Sequence, residues 1–165
     1  GIALGAAAVY FSLGARAPEP LTFQRLTFQH GNVVSAKFTP EGQSVVYAAA
    51  WEGSPPELFS TRLDSVESRS LGISNASILD VSPTGEALLQ TERKSEDFSV
   101  LYSGTLARVA LAGGAPRPIL ENVLGAQWDV KTNDAMIVRR EGDKTRLELP
   151  AGHTILETEI GRAHV

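Results

Sequence analysis

Short runs that alternate apolar and polar residues fill the chain beyond residue 20, the period-two signature of strands with one buried face. Leu21 to Phe28 reads LTFQRLTF, with β-branched and aromatic residues alternating with polar ones. Four further runs follow: VVSAKF (33–38), QSVVYAAA (43–50), LFSTRL (58–63) and ESRSLG (67–72). Turn residues bound each of them, and WEGSPPE reads as the loop after the second. The set then recurs as SILDV (77–81), EALLQTE (86–92), TLARVAL (105–111) and GGAPRPILE (113–121), with the polar loop RKSEDFSVLYSG before its third member. A weaker third copy starts at AQWDVKTNDAMIVRRE (126–141) and continues with TRLELP (145–150).

The spacing is regular. Phe38 to Val81 is 43 positions and Val81 to Trp128 is 47. Four strands repeated every 40 to 50 residues predict blades of a β-propeller. Thr39-Pro40-Glu41-Gly42 and Ser82-Pro83-Thr84-Gly85 occupy the same place in the first two copies. Proline presets φ and glycine supplies a positive-φ corner, so these turns join the first two strands of each unit. The third turn, DVKTND, has neither Pro nor Gly, which leaves the register of that copy open. The fold class expected is all-β, a partial, open propeller of about three four-stranded blades over 21–158. Closed propellers hold four to eight blades. Three would form an open fan with unprotected faces and edges, and lost neighbour interfaces would leave it marginal or aggregation-prone.

The first twenty residues break the pattern. GIALGAAAVYFSLGARAPEP carries no charged side chain from Gly1 to Ala15, and Tyr10 and Phe11 lie near the far end of that run. A spanning helix needs about 20 apolar residues, so 1–15 reads as the later part of a transmembrane helix with interfacial aromatics. Residues 16–20 read as a linker, because Pro18-Glu19-Pro20 stops a helix. A rival reading is a secretory signal peptide cut after Ala15-Arg16-Ala17, although Pro18 is a poor residue to follow a cut. A helix buried in a soluble domain is the third reading. The first two place the remainder outside the cytoplasm.

Composition narrows the function classes. The chain has 165 residues, 42% of them hydrophobic, enough for one ordinary domain. A formal charge of −4 without a Lys/Arg cluster argues against nucleic acid as a partner. With no cysteine there is no thiol nucleophile and no cysteine zinc site. His30, His153 and His164 are scattered without metal-ligand spacing, so no metal is expected. No G-x-S-x-G is present, and Gly113-Gly114 reads as a turn rather than a dinucleotide loop. Lys94-Ser95-Glu96-Asp97 reads as a solvated mixed-charge loop. Trp51, in the loop after the second strand, is the one candidate for a binding-surface aromatic, weighed against rim packing. Trp128 reads as core between blades. Catalytic, cofactor and metal residues are expected to be absent, and the chain itself is expected not to be an enzyme.

FTPEGQSVVY and VSPTGEALL resemble the TolB-type propeller repeat, in which a hydrophobic residue precedes an S/T-P-x-G turn and a strand. LAGGAPRPIL resembles that family's outer hairpin. The longer run from RLTFQHGNVV to SVESRSLG, with its upstream apolar segment, is similar to the extracytoplasmic propellers of bacterial membrane-anchored serine/threonine protein kinases. The resemblance covers roughly 21–157. It implies a non-catalytic ligand- or protein-binding and sensing module, single-pass in the bacterial inner membrane, with its propeller outside the cytoplasm. On that reading the Asn75-Ala76-Ser77 sequon carries no weight. None of the kinase signature elements occurs in the chain, so the kinase link is implied by the resemblance alone. Alternatives are the gating propeller of a peptidase and the sensor part of a membrane-bound transcriptional regulator. The last stretch, 159–165, does not continue the repeat. Its back-translation resembles a sequencing adapter, and it is expected to be a non-native tail.

Overall fold

The computed structural model describes residues 22–95 and 102–159. The segment expected to be a membrane helix, the 16–20 linker and all but the first residue of the 159–165 tail lie outside them. So do Glu96, Asp97 and His164. Among the described residues no helix is long and apolar enough to cross a membrane.

The described chain is all-β, as the alternation predicts. Its strands are β1 Gly31–Phe38, β2 Ser44–Trp51, β3 Glu57–Arg62, β4 Ser68–Ser74, β5 Ala76–Val81 and β6 Glu86–Ser95. They continue with β7 Tyr102–Ala110, β8 Arg117–Trp128, β9 Ala135–Glu141, β10 Lys144–Glu148 and β11 Thr154–Thr158. Two antiparallel sheets result. One has the order β1-β2-β3-β4 and the other runs β11-β10-β9-β8-β7-β6-β5. Neighbours in sequence are neighbours in the sheet, so each sheet is a meander of hairpins.

The unequal sheet sizes come from β8. Its first half pairs with β7 through Arg117, Pro118 and Leu120, and its second half pairs with β9 from Val123 to Trp128. Between the halves sits Asn122, with φ of 58°. Asn75, the only residue between β4 and β5, has φ of 52°. Asparagine visits this left-handed region at less cost than most side chains. The two corners are therefore equivalent, 47 positions apart, and the chain forms three four-stranded meanders: β1–β4, β5 to early β8, and late β8 to β11. The sequence reading separated early from late β8 as two strands, and the backbone runs them together.

The turns between first and second strands show how the third copy manages without Pro and Gly. Gly42 and Gly85 have φ of 68° and 80°, and their N–H groups donate to the carbonyls of Thr39 and Ser82 at 2.8 and 3.0 Å. The hydroxyls of Thr39 and Ser82 accept from the N–H groups of Ser44 and Glu86 at 3.2 and 2.9 Å. In the third turn Asn133 takes the left-handed corner at φ 59° and donates to the Asp129 carbonyl at 2.9 Å. The Asp129 carboxylate accepts from the Lys131 N–H and the Thr132 hydroxyl. The register left open by the sequence is thereby fixed, with Ala126 opposite Ile137 and Trp128 opposite Ala135.

Two cores join the meanders. Val46 and Leu58 of the first pack with Ala76, Ile78, Ala87, Leu89 and Val109 of the second. Leu88 and Leu106, on the other face of the second, pack with Val123, Trp128 and Ile137 of the third. Each fully buried Leu or Ile contributes about 1.5–3 kcal/mol. The first strands of successive meanders are also tied by polar contacts. Ser35 Oγ accepts from the Ile78 N–H at 3.0 Å, and Asp80 Oδ2 accepts from the Trp128 N–H at 2.9 Å. Lys37 Nζ lies 3.6 Å from Asp80 Oδ1.

Three local expectations are corrected. Residues 22–28 alternate like a strand yet form none, because no strand among the described residues pairs with them. Phe23 is 95% exposed, while Leu26 packs on Val45, Tyr47 and Ala49 and Gln24 donates to the Leu63 carbonyl. The expected loop at 93–104 is shorter than its polarity suggests. β6 runs to Ser95 and β7 starts at Tyr102, with Lys94 opposite Ser103. Trp51 is the last residue of β2 rather than a loop residue.

Candidate functional site

Cross-strand register places Lys37, Val46, Ser60 and Arg69 in one row across the first sheet. Directly opposed residues share a face, and this face turns toward the second meander. Ser44 and Arg62 form the neighbouring row. Above these rows lies an open cleft of about 700 Å³, bounded at one end by Thr39 and Glu41, at the other by Glu67, and on its far side by Leu111. The small Ser44 and Ser60 side chains leave this space.

Polar side chains and charges of both signs line the cleft beside apolar surface. Arg62 binds Asp64 through two parallel hydrogen bonds at 2.9 Å. That pairing raises the Arg62 pKa and lowers that of Asp64, and the pair is exposed, so it adds little stability. The Arg69 side chain is exposed and has no hydrogen bond or ion pair to any described residue. Its guanidinium is a cation of the cleft without a partner among the described residues, and its planar fork suits a carboxylate.

The same row recurs in the second meander as Asp80, Leu88, Arg108 and Arg117. Here a large residue replaces Ser60, and the space left is about 170 Å³. Arg108 lies 4.7 Å over the Trp128 ring and is bound by Glu86. Trp128, read from the sequence as core between blades, is indeed only 6% exposed.

Trp51, the candidate binding aromatic, lines neither space. Its ring stands 6.4 Å from Tyr47 and 6.1 Å from Phe59, on the opposite face of the first sheet. Gly113 and Gly114 form the β7–β8 turn with φ of 136° and 125°. His30 and His153 are in separate turns, and no cluster of His, Cys, Asp or Glu suited to a metal occurs among the described residues.

One buried carboxylate escaped the sequence reading. Glu148 is 1% exposed and accepts from Arg139 Nε at 2.5 Å and from the Gly152 N–H at 2.7 Å. Burial pushes its carboxyl up, but the Gly152 N–H and the Arg139 guanidinium outweigh burial and hold it below the usual range. Both oxygens are engaged, so its role is to fasten the β10–β11 turn to β9. The alternation in TRLELP gave the only hint, since it puts Glu148 on the same face as Arg146 and Thr145 on the other. Comparison with protein-family profiles and with curated proteins finds no match.

Proposed function

We propose that this chain is a non-catalytic binding and sensing module, built as three blades of a TolB-like β-propeller. Its natural setting in this reading is the extracytoplasmic part of a bacterial membrane-anchored serine/threonine protein kinase, with 1–15 contributing to the anchor. The observation that carries the reading is the repeated junction. First strands of successive meanders lie side by side, tied from Ser35 to Ile78 and from Asp80 to Trp128. A rigid repeat of this kind holds open spaces between units, and recognition commonly sits where turns meet such a scaffold. The cleft above Ser60 and Arg69 is the favoured site, and its chemistry suits a polar peptide that offers a carboxylate to Arg69.

The test is an amide-resonance titration of the ¹⁵N-labelled chain with a capped Ser-Ala-Asp peptide. Saturable shifts at Ser44, Ser60, Arg69 and Leu111, lost in Arg69→Ala, are the expected outcome. Shifts confined to other surfaces, or none, contradict the site. The kinase setting has its own test. The reading expects a kinase domain encoded upstream of Gly1, and a hydrolase or winged-helix domain in the parent gene would replace it.

A further inference from the structure

The smaller space, between the second and third meanders, has a chemistry distinct from the open cleft. Leu88, Leu106, Ile119 and Ile137 form its apolar side, and Arg108, Asn133 and Asp134 its polar side. Two of its lining residues carry a buried hydrogen-bond donor. Trp128 Nε1 and Arg108 Nε are both buried and have no acceptor among the described residues, and both residues line the cavity. A buried donor without a partner costs about 1–3 kcal/mol, so two at one cavity favour an occupant that accepts.

The charges set the kind of acceptor. Glu86 binds Arg108, and Asp134 also lines the cavity, so an anion gains no net attraction there. Size sets the rest. An apolar cavity of about 150 Å³ holds a benzene-sized molecule, and this one measures about 170 Å³. We propose that the cavity is a binding site for a small neutral molecule with an apolar body and one carbonyl oxygen. The body fills the space among the aliphatic side chains, and the oxygen accepts from Trp128 Nε1–H and Arg108 Nε–H. The site is independent of the carboxylate cleft.

Cyclohexanone is a suitable probe. The full ¹⁵N-labelled chain is titrated with it, and the two indole N–H resonances are followed and assigned with Trp51→Phe. Trp51 is an internal control, because its Nε1 also lacks an acceptor but it lines neither space. The expected result is a saturable downfield shift of the Trp128 indole alone. Arg108→Lys, which keeps the charge and removes the Nε donor, weakens binding about tenfold, the equivalent of about 1.4 kcal/mol. Ala151→Leu, at the cavity wall, abolishes binding. Three outcomes overturn the proposal: no saturable shift up to the solubility limit of the ketone, parallel drift of both indoles, or an unchanged affinity in both variants.

Discussion

At the first junction the row Lys37, Val46, Ser60, Arg69 leaves a cleft of about 700 Å³, and at the second the row Asp80, Leu88, Arg108, Arg117 leaves about 170 Å³. The tie between first strands is of the same kind at both, a side-chain oxygen accepting a backbone N–H. Side-chain volume differs at equivalent positions of the two junctions, among them Ser44, which becomes Glu86. Ser60 becomes Arg108, and Val81, at the end of β5, becomes Trp128 at the end of β8. Backbone repetition therefore fixes where neighbouring meanders meet, and side-chain volume at equivalent positions distinguishes the two spaces.

The largest expected effect separates the junctions directly. Trp128→Ala removes the main filler of the second and should cost about 3–5 kcal/mol in urea unfolding. Val81→Ala, at the half-buried equivalent, should cost about 1 kcal/mol. Equal losses at the two sites would break the comparison.

Glu148→Gln comes next. It removes the buried negative charge that pairs with Arg139 and should cost about 3 kcal/mol at neutral pH. The folded-state pKa of Glu148 lies below its ordinary value. Its stabilisation is therefore present above the unfolded pKa of about 4.3 and lost as the pH falls through the folded value. The wild-type chain should lose more stability than the variant over that acidic window, measured by denaturation at stepped pH.

Smaller effects follow at the ties. Asp80→Ala removes a charge-assisted bond to the Trp128 N–H and should cost about 1.5–3 kcal/mol. Ser35→Ala removes a neutral one and should cost about 1 kcal/mol. At the third turn, Asn133→Ala should cost about 1–2 kcal/mol for its left-handed backbone, while Asn133→Gly should be near neutral.

These contrasts also mark what sequence could reveal. Alternation and turn spacing gave the strands and the repeat, because both follow from period-two burial and from Pro/Gly geometry that any single copy displays. Asn133 was hidden because it replaces glycine by tolerance of a left-handed corner rather than by identity. Residues 22–28 misled for the converse reason: their alternation suits a strand, but a strand also needs a partner. Trp128 was legible as core, since it follows Phe38 and Val81 in the repeat. The cleft was not, because its openness depends on Ser60, a small polar residue that carries no chemical signature. Arg69 was not legible either, because its lack of a described side-chain partner is a property of the three-dimensional arrangement.

The central claim, that side-chain volume at equivalent positions sets each junction on a common backbone plan, is tested most directly by a crystal structure of the Arg108→Ser, Trp128→Val double variant. The account predicts that the second space opens well beyond its present 170 Å³ toward the 700 Å³ of the first. It also predicts that the Asp80 carboxylate still accepts from the backbone N–H of residue 128, near the present 2.9 Å. A third meander that collapses onto the second to refill the space, or that parts from it with loss of that bond, would contradict the account.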